Sequence, residues 1–200
     1  MIAIIDYGMG NLGSVKKALT FLGYEAVITD SPSLAMTASG LILPGVGAMA
    51  HAVTALRDKG MDRVVFDYVG TGRPFLGICL GMQMLFDYTE EGDGTVRGLG
   101  LLPGRVLRFS PEQGLKIPQI GWNSLVTASD PALRKDDFVY FLHSYYCAPD
   151  REEDVAATTQ YGIEYASAVA RDNIFATQFH PEKSGEVGLS ILNRWARRTR

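Results

Sequence analysis

The sequence predicts an α/β protein: an open, mostly parallel, twisted sheet with helices on both faces, extended in its second half by antiparallel strands. Three observations carry that expectation. Over the first half, short apolar runs alternate with longer amphipathic stretches, the strand–helix pattern of a parallel sheet. From about Leu101 the helical periods give way to extended runs separated by turn residues. Glycine-containing turns follow several of the early strands, at 7–10, at 44–47 and around Cys79, and such strand ends are where parallel sheets gather reactive groups.

The elements follow in order. Ile2, Ala3, Ile4 and Ile5 form a wholly apolar run, read as a buried strand over 2–5. Leu12, Val15, Leu19 and Leu22 share one face of a helix over 11–22. Strands over 24–28 and 40–43 come next, then helices over 51–59 and 62–69. A strand over 75–78 runs straight into a helical pattern that begins at Leu80. In the second half, 105–109, 124–126, 138–146, 155–159, 165–171 and 174–179 read as extended. A closing helix over 186–197 carries Val187, Leu189, Ile191, Leu192 and Trp195. No internal repeat or linker interrupts the pattern, so a single domain over 1–200 is expected.

Composition bounds the function. The chain has 200 residues, 46% of them hydrophobic and 20% charged, ordinary for a globular enzyme. A net charge of −3 gives no reason to expect nucleic acid or an anionic membrane as partner. The arginines near the C-terminus read as the solvated end of the last helix. Cys79 and Cys147 are too few for a disulfide framework, and no run is long and apolar enough to span a bilayer. With no charged leader before an apolar segment at the N-terminus, a reduced, cytoplasmic setting is expected.

The chemistry concentrates at three places. Cys79 stands where an apolar strand meets a helix, with glycines two positions to either side, Gly77 and Gly81. A nucleophile on so tight a turn needs small neighbours, as in the serine elbow of the hydrolases. The free N–H groups and dipole of the following helix would favour thiolate over thiol. His180 and Glu182 flank Pro181 at the end of the last strand. Alternation of side chains there lets both point the same way, so that a carboxylate can orient an imidazole base. Pro44-Gly45-Val46-Gly47 can turn backbone N–H groups toward an anion, and the N–H of Leu80 would complete an oxyanion hole.

Together these motifs resemble the class I, triad-type glutamine amidotransferases, a flavodoxin-like family, over the whole chain. Finer segments resemble the branch that forms the glutaminase subunits of imidazole glycerol phosphate synthases. They are Asp6-Tyr7-Gly8-Met9-Gly10-Asn11, Pro44-Gly45-Val46-Gly47, Gly121-Trp122-Asn123, His143-Ser144-Tyr145-Tyr146 and His180-Pro181-Glu182-Lys183-Ser184. Subunits serving anthranilate or carbamoyl phosphate usually carry Pro-Gly-Gly-Pro at the second of these. The resemblance implies that Cys79 attacks the side-chain amide of glutamine and that His180, oriented by Glu182, protonates the departing ammonia. Val46, Gly47 and Leu80 would form the oxyanion hole, the Val46 peptide flipping to complete it. Gln83, Ser144 and Tyr145 would hold the substrate. No cofactor or metal is implied.

The partner implied is a (β/α)8-barrel cyclase subunit, forming a heterodimer. It would use the ammonia to make imidazole glycerol phosphate and an aminoimidazole carboxamide ribotide in histidine biosynthesis. Asn11, Gln119, Trp122, Asn123, Tyr140 and Lys183 fall at that family's interface and gate. Where this chain has Gln119-Ile120, many relatives carry His-Met. From the residues alone, other readings stand: Gln83 as a helix-surface residue, Trp122 as a core aromatic, Lys183 as a solvated charge, His143 as a satisfied strand histidine and Cys147 as structural. An amidotransferase subunit of another synthase, or a cysteine hydrolase or peptidase on a related fold, are the alternative functions.

Overall fold

The computed structural model describes residues 1–92, 96–111 and 115–200. The first half runs β1 (Ile2–Ile5), α1 (Leu12–Phe21), β2 (Ala26–Thr29), α2 (Pro32–Thr37), β3 (Gly40–Gly45), α3 (Met49–Asp58), α4 (Met61–Gly70), β4 (Phe75–Cys79) and α5 (Leu80–Gln83). Then come β5 (Tyr88–Thr89), β6 (Val96–Arg97), β7 (Gly104–Arg108), β8 (Gln119–Ser124), β9 (Thr127–Ala128), β10 (Phe138–His143) and β11 (Tyr145–Pro149). The chain closes with β12 (Val155–Tyr161), β13 (Ile163–Arg171), β14 (Ile174–Thr177) and α6 (Gly185–Ala196).

Strands β2, β1, β3, β4 and β14 lie side by side, all parallel. Beyond β14 the same sheet continues through β13, β11 and β7 in antiparallel pairing, with β5 and β6 at its edge. Strands β8 and β10 form a separate antiparallel ribbon.

The apolar run of β1 shows why both faces are covered. Ala3 and Ile5 point into one core with Leu41, Leu43, Val53, Val65 and Tyr68 of α3, α4 and β3. Ile2 and Ile4 point into another, with Val15 and Leu19 of α1 and Ile191, Leu192 and Trp195 of α6. Period-two alternation thus feeds two helical layers. Each fully buried aliphatic side chain in these layers contributes on the order of 2 kcal/mol. Among the described residues, no helix is long and apolar enough to cross a membrane.

Several boundaries differ from expectation. Helix α2 was not anticipated, although Pro32 sits in its first turn and the Ser31 hydroxyl accepts from Leu34 N, a standard start signal. The run 138–146 divides at Ser144: its first part pairs with β8 and its second joins the main sheet beside β7. Residues 124–126 are no independent strand. There the backbone changes partner, Leu125 N donating to Asp137 O and Val126 N to Thr158 O. The helix after Cys79 is a single turn of 4 residues, so little aligned dipole stands behind the sulfur.

The elbow itself is as tight as its glycines suggest. A Cβ at Gly81 would lie 1.9 Å from Leu43 O, and one at Gly77 would lie 3.0 Å from Gly81 O. Both contacts are with backbone, of β3 in the first case and of α5 in the second, which cannot retreat as a flexible side chain would. Gly81→Ala is therefore expected to lower stability by at least about 3 kcal/mol. Gly13→Ala, in open space on α1, should instead stabilise by up to about 1 kcal/mol. Urea unfolding of the two variants would check the contrast.

Candidate active site

Register explains how distant residues meet. Strand β4 lies between β3 and β14, with Gly45 opposite Cys79 and Thr177 opposite Ile78. The segments that leave β3 and β14 therefore pass on either side of the Cys79 sulfur. Cys79 adopts φ 56° and ψ −110°, a left-handed conformation unusual for a side chain of any size. Beside it, the Tyr7 hydroxyl donates to Pro44 O at 2.9 Å, and a Cβ on Gly45 would lie 2.8 Å from the Tyr7 hydroxyl.

His180 and Glu182 do meet, by a route other than strand alternation. Strand β14 ends at Thr177, and residues Pro181–Lys183 form one 3₁₀ turn. That turn brings Glu182 Oε1 to 2.8 Å from His180 Nδ1, with both side chains almost wholly buried. The loop is tied to β10: His180 N donates to Tyr140 O, Tyr140 N donates to Ser184 Oγ, and Ser184 Oγ donates to His180 O at 2.6 Å. His180 Nε2 is buried and has no hydrogen-bond partner among the described residues. Burial opposes the imidazolium, but the Cys79 sulfur and the Glu182 carboxylate more than offset it and raise the His180 pKa to about 10. The arrangement can hold a proton on the imidazole beside the Cys79 sulfur at neutral pH.

Cys79 and His180 open onto a cavity of about 250 Å³. Val46, Gly47 and Leu80 line it on the side of β3 and the elbow; Gln83, Ser144 and Tyr145 also line it. Gln83 is no surface residue: it is buried, its Nε2 donating at 2.9 Å to both Tyr145 O and Gln178 Oε1. The cavity also contains Glu91, which the sequence reading missed. Its carboxylate accepts the N–H of Met49 at the start of α3 and gives the cavity wall an acidic group. Nothing in the sequence marks it, because Glu90-Glu91-Gly92 reads as a solvated turn.

His143 lines the same cavity as a satisfied histidine. Its Nδ1 lies 2.8 Å from Tyr145 O and its Nε2 lies 3.2 Å from the Tyr165 hydroxyl. Burial lowers its pKa to about 4, against a smaller opposing pull from the Tyr145 carbonyl. Cys147 is buried in β11, and burial pushes its thiol up.

The remaining sequence candidates fall into separate places. Trp122 and Tyr140 are register partners on the outer face of the β8–β10 ribbon, and Phe138 stacks on Trp122 at 5.8 Å. Ile120, Trp122, Phe138 and Leu142 are exposed there, so Trp122 is no core aromatic. Gln119 lies on the opposite, buried face, its carboxamide 3.0 Å from the Tyr165 hydroxyl. Asn123 donates to Gln160 O, Asn11 precedes α1 half-buried, and Lys183 sits half-buried in the 3₁₀ turn after His180. None of these six residues lines the cavity.

Comparison with known proteins agrees with this geometry. Residues 3–197 match the family model described as glutamine amidotransferase class-I. Imidazole glycerol phosphate synthase subunit HisH of Desulfitobacterium hafniense (strain DSM 10664 / DCB-2) is 49% identical, over 98% of this chain and 94% of its own length. The subunit of the same name from Chlorobaculum tepidum is 47% identical, over 98% and 99%. Among solved structures, one described as a glutamine amidotransferase aligns with a TM-score of 0.78 at 20% identity, covering 100% of this chain and 99% of that one. The structure of PurLQS from Thermotoga maritima aligns with a TM-score of 0.72 at 18% identity, over 98% and 97%. At such identities the structural matches speak for the fold.

The neutral state of His143 has a consequence for stability. Its folded pKa lies below the ordinary histidine value, so the unfolded chain binds the extra proton as pH falls. Stability from this group is present above about pH 6.5 and drains as pH falls toward 4. Between pH 7 and pH 5 the loss should be about 2 kcal/mol. Urea unfolding of His143→Gln across that range should show a flatter acid limb by this amount.

Proposed function

This chain belongs to the class-I glutamine amidotransferases, and from that premise we propose that it is the glutaminase subunit of an imidazole glycerol phosphate synthase. The near-half identity to HisH subunits over almost the full chain supports the branch. The observation that carries the chemistry is His180 Nε2, buried, unpartnered and opening with Cys79 onto one small cavity. On this reading, residues 1–200 act as one amidotransferase domain, in the cytoplasm, as one half of a heterodimer with a barrel-shaped cyclase.

The proposed sequence begins with the Cys79 thiolate adding to Cδ of the glutamine side chain. The carbonyl oxygen becomes an oxyanion, met by N–H groups of Leu80 and of the Val46–Gly47 turn. The first N–H groups of a helical turn lack internal partners, which leaves Leu80 N free for this. The C–N bond then breaks as His180 passes a proton to the amide nitrogen, giving ammonia and a glutamyl thioester. Water adds next, His180 taking its proton, and collapse expels the thiolate and glutamate. Glu182 keeps Nδ1 protonated so that Nε2 faces the reacting atoms. Gln83, Ser144 and Tyr145 would hold the amino-acid end, and Glu91 supplies a carboxylate for its ammonium group.

Ammonia released into water at neutral pH would be protonated and lost to chemistry that needs the free base. Delivery into a docked cyclase, a lyase-type partner, avoids this. The exposed apolar face of the β8–β10 ribbon, with Trp122, Phe138 and Tyr140, suits such docking. Asn11, Gln119, Asn123 and Lys183 would complete the interface and gate.

Two experiments test this reading. Ammonia release from glutamine should be slight for the isolated chain and rise strongly with the cyclase and its ribonucleotide ligand. Cys79→Ala should abolish it, at least a 10⁴-fold loss; wild-type turnover in that variant would sink the assignment. Separately, Trp122→Ala should weaken cyclase binding by about 2 kcal/mol, roughly 30-fold in Kd by calorimetry, while leaving the thermal midpoint unchanged.

A further inference from the structure

We propose that Gln178 is a positioning residue: its carboxamide aims an N–H at the Cys79 sulfur and, through Gln83, locks that sulfur to the substrate-holding wall. The inference rests on the reading of Cys79 as nucleophile. Gln178 is wholly buried, two residues before His180, and a buried carboxamide must satisfy its hydrogen-bonding atoms.

A backbone carbonyl fixes the direction of the whole chain of contacts. Tyr145 O can only accept, so the Gln83 atom 2.9 Å from it is Nε2. The same Nε2 lies 2.9 Å from the Gln178 carboxamide, whose facing atom is then Oε1. That leaves Gln178 Nε2 directed at Cys79 Sγ, at 3.7 Å. Reversing the Gln178 amide would set two N–H groups against each other and a carbonyl oxygen against the sulfur. The first contact is repulsive between buried amides, and the second is repulsive toward a thiolate.

Two consequences follow. An N–H donor held against the sulfur stabilises the thiolate relative to the thiol. And with both Nε2 hydrogens committed, Gln83 presents Oε1, an acceptor, to whatever donor a ligand brings. The nucleophile and the ligand-holding amide are thus set by one rigid chain. The other titratable groups that interact with the sulfur are His180 from the loop after β14, Tyr7 after β1 and Cys147 on β11. They stay in place when Gln178 changes.

The test uses Gln178→Met and Gln178→Leu, which keep much of the volume and remove the donor and acceptor. In the full-length chain, alkylation of Cys79 by iodoacetamide is followed by peptide mass across pH. The pH midpoint is expected to rise by about one unit. In the complex with the cyclase, kcat is expected to fall about tenfold and KM for glutamine to rise severalfold, because Gln83 loses its anchor. A purely structural role, which volume alone satisfies, predicts an unmoved midpoint. An unmoved midpoint in either folded variant overturns the proposal; so does failure of both to fold, which would make Gln178 a core residue only. Alkylation needs no glutamine. If the wild-type complex released no ammonia, the functional reading would fail while the midpoint still decided the role of Gln178.

Discussion

The close approach of β3, β4 and the single turn of α5 is the constraint on which the rest of the site depends. Gly81 packs its α-carbon against Leu43 O so tightly that no side chain fits, and Gly77 packs against the backbone of Gly81. This crowding holds Cys79 at φ 56°, a conformation costing about 1–3 kcal/mol that only a rigid surrounding can sustain. What it achieves is placement. The sulfur is lifted off the end of a central strand, between the two segments that leave the neighbouring strands. A helix dipole, expected from the sequence, contributes little, since α5 ends after one turn. Chemistry at the sulfur is set by the neighbours that the sheet delivers.

Those neighbours arrive by topology. Parallel pairing of β4 with both β3 and β14 puts three carboxyl ends in a row, so residues as distant in sequence as Ile78 and Thr177 become adjacent. The ribbon β8–β10 then braces the histidine. Backbone bonds between His180 and Tyr140, with Ser184 Oγ closing the loop, tie the imidazole to the same strand that presents Tyr140 on its outer face. A partner resting on that face would press on the strand that positions His180.

Much of this was legible in the sequence. The alternation of apolar runs and amphipathic stretches gave the parallel half, because the strands there are short and mostly apolar, as β1 and β4 are. Cys79 stood out through its paired glycines, and His180 with Glu182 through the intervening proline. The mechanism of their contact was not legible: strand alternation was expected, whereas a 3₁₀ turn after Thr177 does the work. Gln83 looked like a surface residue because a four-residue turn has no amphipathic period to reveal its buried side. Glu91 and Gln178 carry no local pattern at all. Their roles come from strands and loops that meet only in three dimensions. The split of 138–146 was hidden for the same reason, since both halves are apolar enough to be strands and only their partners differ.

The two histidines of the cavity show how partners decide what burial does. Both are buried, and burial alone would empty both of their protons. His180 has a carboxylate on Nδ1 and a sulfur near Nε2, two groups that favour a positive imidazole, and its pKa rises to about 10. His143 has a backbone carbonyl and a tyrosine hydroxyl, neutral dipoles too weak to repay desolvation, and it falls to about 4. At neutral pH one cavity therefore holds one charged and one uncharged imidazole. The neutral one adds no competing cation beside the first. A second imidazolium there would be repelled by the first, so the charge on His180 adds to burial in holding the His143 pKa down.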